Sequence, residues 1–275
     1  RRTWLQATGA GVVLGMGWGC GDNTRRRFGP FTMSIASWTF RQFPVVEALD
    51  LVEALGLPRV ELSLQANHFG STATPAEIEA MRGMLADRGL ACLTAGLELP
   101  TADHAANRAL FEYARAFGLR TLMVDPPPES LDSLEQLVAE FDIRIGIHNH
   151  GPGTRYSQIA DVLAALAGRD PRIGAILDTG HCTRAGEDPI AALHQLAGRL
   201  YGLHLKDVAA PDPAAPDTIL GQGVLDVEAV FSTLLAVGFP DDASLTLEYE
   251  LNQADPFDDV VVALQLIEQI TSRLG

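Results

Sequence analysis

Short runs of Val, Ile and Leu alternate with longer amphipathic stretches from Phe31 onward, eight times over, and this alternation restricts the folds open to the chain. The apolar runs lie at 32–38, 59–64, 91–99, 121–125, 144–150, 174–178, 202–206 and 244–250. Most are continuous rather than alternating in polarity, as expected of parallel strands buried on both faces. The amphipathic stretches lie at 45–55, 75–88, 104–117, 131–141, 157–167, 189–196, 227–237 and 256–274. Thr74-Pro75-Ala76-Glu77 supplies a capping residue, a proline at the first helical position and an early acid. Gly56, Gly89, Gly118 and Gly238 each follow a helical run, where a left-handed C-terminal cap is wanted. Eight βα units in about 245 residues is the count and size of a (β/α)8 TIM barrel. A doubly wound open sheet is the alternative, but it normally uses fewer strands, and no Gly-rich phosphate turn is visible. The expectation is therefore an α/β chain with one TIM-barrel domain at 31–275, preceded by a head at 1–30.

The head differs in kind from the rest. Of the 275 residues, 1–27 hold five Arg against the single Asp22, which leaves 15 basic and 34 acidic residues, a formal −19, for the remainder. Arg1-Arg2-Thr3-Trp4-Leu5-Gln6 and the apolar, Gly-rich run from Ala7 to Gly19 resemble a twin-arginine export signal. A periplasmic or outer-face location follows as an expectation. The chain begins at Arg1 rather than Met, so a start further upstream is expected. Gly19-Cys20 resembles a lipoprotein processing site, which would attach the protein to a membrane through Cys20, although Gly17 and Trp18 depart from the usual pattern. The apolar run is too short to span a bilayer. The other cysteines, Cys92 and Cys182, have no CxxC spacing and read as buried thiols or a disulfide. The acidic balance, formally −15 overall, argues against a nucleic-acid surface, because phosphate binding needs clustered Lys and Arg.

In a TIM barrel the chemistry sits where the strands end. Four consecutive strands end in side chains able to bind a metal: Ile147-His148-Asn149-His150, Leu177-Asp178-Thr179-Gly180-His181, Leu203-His204-Leu205-Lys206-Asp207 and Leu247-Glu248-Tyr249-Glu250. A buried strand does not usually finish in His or a carboxylate without a partner, because an unpaired polar group there is costly. One divalent cation shared among them is the economical explanation. The Pro- and Ala-rich stretch 208–223 follows the seventh strand on the same side and is a candidate lid.

Asp178-Thr179-Gly180-His181, His204-Leu205-Lys206-Asp207, Gly221-Gln222-Gly223 and Leu247-Glu248-Tyr249-Glu250 occur in the order found in the xylose isomerase-like TIM barrels, the sugar phosphate isomerase/epimerase superfamily, and the chain resembles that family from about Phe31 onward. The resemblance implies a metal on a strand-five Glu, a strand-six Asp, a strand-seven His and a strand-eight Glu, hence on Asp178, His204 and Glu248 here. At strand five the family's Glu-Asn-His is replaced by His148-Asn149-His150. His148 still ligates as a neutral imidazole, and the set His148, Asp178, His204, Glu248 favours Mn²⁺ or Zn²⁺ over Mg²⁺. The family moves a proton on the carbon beside a substrate carbonyl, which gives Glu248 the role of base, with His148 and His181 as further catalytic candidates. Trp38, Glu61, His68, His150 and Lys206 are candidate contacts to a carbohydrate substrate. For Glu61 a structural ion pair is the competing reading, and for Lys206 a pairing with Glu250.

The expected activity is metal-dependent sugar isomerisation or epimerisation. Loss of the strand-five carboxylate leaves a base on one side and an imidazole on the other, which suits β-elimination on a keto-glycoside. A non-catalytic carbohydrate-binding exported barrel is a further alternative, against which the retained Glu248 argues. A nuclease is set aside for want of a basic groove. Barrels of this family often pair, so a homodimer is one assembly the resemblance admits.

Overall fold

The computed structural model describes residues 25–65 and 68–274. The twin-arginine-like head, with its apolar run and Cys20, lies outside the described residues.

Eight parallel strands close into a barrel: β1 (Met33–Ala36), β2 (Arg59–Ser63), β3 (Thr94–Glu98), β4 (Thr121–Val124), β5 (Arg144–His148), β6 (Ile173–Asp178), β7 (Leu200–Leu205) and β8 (Ser244–Leu247). Each strand pairs with its neighbours in sequence, and the ring closes where β1 meets β8 through Met33–Leu245, Ser34–Thr246 and Ile35–Leu247. Around it lie α1 (Val45–Ala54), α2 (Pro75–Asp87), α3 (His104–Phe117), α4 (Leu131–Phe141), α5 (Ile159–Leu166), α6 (Thr179–Arg184), α7 (Pro189–Leu196), α8 (Val227–Val237) and α9 (Phe257–Thr271). No helix among the described residues is long and apolar enough to cross a membrane.

The helix punctuation works as its chemistry requires. At α2, Thr74 Oγ1 accepts from Glu77 N at 3.3 Å while Thr74 N donates to Glu77 Oε2 at 2.7 Å, a reciprocal capping box. Gly118 and Gly238 close α3 and α8 at φ of 93° and 67°, where a side chain would be strained. Two of the elements that were not expected bear on the site. The chain leaves β1 at Ala36 and enters a 3-10 turn, Ser37–Phe40, so Trp38 stands on a turn rather than a strand. The six-residue α6 starts directly after β6, with Asp178 Oδ1 accepting from His181 N at 2.7 Å. Six residues are too few to display a helical period.

Packing also begins before residue 31, the expected boundary. Phe28 is buried in the core, Arg26 Nη1 pairs with Glu268 of α9 at 2.7 Å, and Arg26 Nε donates to Leu55 O at 2.9 Å. Cys92 and Cys182 are free and buried, and burial pushes both thiols up to about 12, so they are inert.

Beneath the mouth, Ile176 of β6 fills the space left by two glycines on flanking strands. A Cβ on Gly146 or Gly202 would lie 2.5 or 2.9 Å from Ile176 Cγ1. Because side chains two apart on a strand share a face, this plug lies directly below Asp178. On the mouth side, the segment after β7 is held by one carboxylate. Asp207 Oδ2 accepts from the backbone N–H groups of Gly221 and Gly223, both at 2.9 Å, and Oδ1 from Val208 at 2.9 Å and Leu225 at 3.0 Å. A Cβ on Gly223 would collide with that carboxylate and with Val208 O, which explains the second glycine of Gly221-Gln222-Gly223. Asp207–Val208 and Asp217–Thr218 form a short antiparallel ladder across the loop, and Arg184 of α6 pairs with Asp217. The candidate lid is therefore pinned at both ends.

Candidate metal centre

His148 is the last residue of β5 and Asp178 the last of β6; His204 stands one short of the end of β7, and Glu248 directly follows β8. Strand register brings them together, since Asp178 pairs with His204 and His204 with Thr246. One ligand atom from each of the four lies within 4.8 Å of the others, and all four residues are buried. His204 Nδ1 is 2.5 Å from Glu248 Oε2, 3.1 Å from His148 Nε2 and 3.9 Å from Asp178 Oδ2.

Asp178 shows most directly what the cluster fits. Its Oδ1 caps α6, while Oδ2, fully buried, makes no hydrogen bond. Asn149 fixes it further, accepting from Asp178 N at 2.7 Å and donating to Asp178 O at 3.1 Å. The Lys206 ammonium lies 3.4 Å from this oxygen without a hydrogen bond to it, and a desolvated carboxylate oxygen that also faces two imidazoles and a second carboxylate has a lone pair left for a further cation. Two nitrogen and two carboxylate donors fit one divalent ion.

The electrostatics agree for three of the four ligands; for His204 burial is outweighed by Glu61 and Glu248, which raise the imidazole well above its ordinary value, so an ion would have to displace its Nδ1 proton. Burial raises the Asp178 carboxyl, but the Lys206 ammonium and the surrounding imidazoles outweigh it and hold the group well below the usual carboxylate range. For Glu248, burial is likewise outweighed by Lys206 and His204, and the group comes down to about 2. Burial and then His204 push His148 far below the ordinary histidine value. Both carboxylates are thus ionised and His148 is neutral near pH 7, the forms that bind a cation.

A cavity of 230 Å³ opens above these ligands, lined among others by Trp38, Glu61, His150, His181 and Glu250. His150 and His181 stand with ring centroids 5.2 Å apart, on the same side as His148. His181 Nδ1 makes no hydrogen bond. Trp38 Nε1 donates to Glu250 Oε2 at 2.8 Å, and the Arg41 guanidinium lies 4.7 Å from the centre of its ring.

Three expected substrate contacts are placed differently. Glu61 lines the cavity, but its Oε1 lies 2.5 Å from His204 Nε2. Lys206 is consumed by carboxylates, with Nζ 2.6 Å from Glu250 Oε1 and 3.4 Å from both Asp178 Oδ2 and Glu248 Oε1. His68 is not brought to the site. Its Nε2 bonds Phe43 O at 3.0 Å, and it lines a separate hollow with Phe69, Met81 and Met84. Sequence reasoning gave Glu250 no part beyond pairing with Lys206, yet it ties Trp38, Arg41 and Lys206 together at the rim. Its signal was present in the sequence, as a second carboxylate two residues after Glu248 and so on the same face.

Gly180 shows how two motifs interlock. Thr179 Oγ1 donates to Lys206 O at 2.7 Å and accepts from Lys206 N at 3.0 Å. A Cβ on Gly180 would lie 2.8–3.1 Å from the Lys206 stem.

A family model described as the xylose isomerase-like TIM barrel matches residues 49–270. An inosose dehydratase of Geobacillus thermodenitrificans is 29% identical over 158 residues, covering 51% of this chain and 52% of that protein. The chain spans about half the length of the curated relatives it matches. Among solved structures, a xylose isomerase domain protein from Planctomyces limnophilus superposes with a TM-score of 0.71 at 17% identity, over 88% of this chain and 98% of the other. The 3-keto-D-glucoside 4-epimerase of E. coli gives 0.65 at 16%, over 87% and 99%. At these identities the structures speak to the fold alone.

Proposed function

Because the chain belongs to the xylose isomerase-like TIM-barrel family, we propose that it is a divalent-metal-dependent enzyme that removes a proton beside the carbonyl of a keto-sugar and completes the turnover by β-elimination. The observation that carries this reading is the one-sidedness of the cavity. The carboxylates Glu61, Glu248 and Glu250 come from β2 and the end of β8, while His148, His150 and His181 come from the ends of β5 and β6. Symmetrical epimerisation by two carboxylates lacks its second carboxylate. The inosose dehydratase relatives, whose name denotes loss of water, support the same outcome.

When bound, the cation polarises the carbonyl and stabilises the negative charge that gathers on its oxygen as the neighbouring C–H is lost. Mn²⁺ and Zn²⁺ suit the donor set better than Mg²⁺. Glu248 accepts the proton from carbon. The C–H electron pair becomes the new C=C bond, and the C–O bond at the next carbon breaks. His181, whose Nδ1 has no internal partner, protonates the departing oxygen when it enters the step as the imidazolium, a form that burial disfavours and the facing Asp178 carboxylate favours. The cations at the rim, Arg41 and Lys206, are both paired with carboxylates, which favours an uncharged sugar over a phosphorylated one.

The test is incubation of Mn²⁺- or Zn²⁺-loaded protein with inososes and 3-keto-glucosides in D₂O, followed by NMR. Elimination releases water or the aglycone and leaves an enone. Deuterium at the α-carbon without a leaving group would redirect the reading to isomerisation or epimerisation. Saturable binding with neither change would leave a carbohydrate-binding barrel.

A further inference from the structure

We infer that Glu61 is a positioning residue for the metal ligand His204, holding its imidazole in the tautomer that turns Nδ1 toward the cation. The inference rests on the metal-site reading above. Glu61 sits in the middle of β2, 143 residues from its partner, and is 2% exposed. Its two oxygens have separate tasks. Oε1 takes His204 Nε2 at 2.5 Å, and Oε2 accepts from Thr246 Oγ1 at 3.2 Å. Thr246 is in turn bonded to Ser244 at 2.7 Å, so β8 fixes the carboxylate's orientation from below.

The other imidazole nitrogen faces the ligand set, with Glu248, His148 and Asp178 all within 3.9 Å of Nδ1. A neutral imidazole carries one N–H. A carboxylate fixed at Nε2 keeps that hydrogen there and leaves the Nδ1 lone pair for the ion. A carboxylate hydrogen-bonded to the far nitrogen of a metal-bound histidine fixes the ring and raises its basicity, and such partners contribute strongly to metal affinity. A buried charge retained only to stabilise the fold is the weaker explanation, since a buried ion pair adds little net stability over apolar residues of the same volume.

The experiment measures Zn²⁺ dissociation constants by chelator competition for the wild type, Glu61→Gln and Glu61→Ala. It adds the ¹⁵N imidazole spectrum of the Zn²⁺-loaded protein. Glu61→Ala should weaken Zn²⁺ by about 10–100-fold, and Glu61→Gln, which still accepts from Nε2–H, by less than about tenfold. His204 should show a protonated Nε2 and a metallated Nδ1 in the wild type and in Glu61→Gln. Metal on Nε2 in the wild type overturns the inference even if Glu61→Ala does not fold. So does a folded Glu61→Ala variant that binds Zn²⁺ within about twofold of wild type. Wild-type protein that binds neither Zn²⁺ nor Mn²⁺ overturns the metal reading and this inference together, whereas normal wild-type binding with unaffected variants overturns this one alone.

Discussion

Asp178 caps α6 with one carboxylate oxygen and leaves the other to the ligand cluster. Asn at this position keeps a capping oxygen but loses the charge. Asp178→Asn should therefore retain the fold, while metal content by elemental analysis falls from about one ion per chain to nearly none, as expected when a charged ligand is lost. Gly180→Ala tests the packing beneath. Its Cβ would press on the buried stem of Lys206, and overpacking of that kind costs about 1–3 kcal/mol, read as a shift in denaturant midpoint. The four proposed ligands were legible in the sequence because each is a polar group at the end of an apolar strand. The pairing of Lys206 with Glu250 was also legible, but the partner of Glu61 was not, because it is set by barrel closure rather than by spacing. The clue to Glu61 was a charge inside the apolar strand Arg59–Ser63, flanked by Val60 and Leu62. A buried charge there needed a partner, but the sequence alone could not say which of seven histidines it was.

Among the elements, the eight strands and the longer helices were readable because each apolar run is long enough to bury and those helices show an apolar period, with caps at α2, α3 and α8. What escaped was short: the 3-10 turn at Ser37–Phe40 and α6, both held by particular hydrogen bonds and packing rather than by pattern. The segment after β7 depends in the same way on a single side chain. Asp207→Ala would orphan the N–H groups of Val208, Gly221, Gly223 and Leu225. We expect a loss of about 1–3 kcal/mol and new proteolytic cleavage within 208–223; a loop as resistant as wild type would show that the Asp217 ladder alone holds it. The approach to β6 carries a pH signature. Hydrogen bonds from Arg172 bring Asp170 down to about 2, below its unfolded value. Its contribution to stability is therefore complete above the unfolded pKa and is lost as pH falls through about 2. Asp170→Asn should make the denaturant midpoint less sensitive to acidification from pH 5 to pH 2 than in wild type. Because the pair is only half-buried, added salt should shrink the difference.

At the scale of the whole molecule, the basic head and acidic body make export a further proposal. Replacing Arg1 and Arg2 by Lys in a fusion to a periplasm-dependent reporter should abolish its signal, and unchanged signal would dispose of the twin-arginine reading. The barrel itself has a seam, where β1 and β8 pair although more than two hundred residues separate them. All four candidate ligands lie at or beyond His148, and the last, Glu248, arrives on the strand that closes the ring. A growing chain therefore presents an incomplete set until Glu248 has been made. Contacts this distant in sequence also form slowly. Metal loading would then report on the second half of the barrel: an ion bridging these four side chains could be held only once β5 to β8 lie side by side, and it would in turn favour that pairing over any opened form.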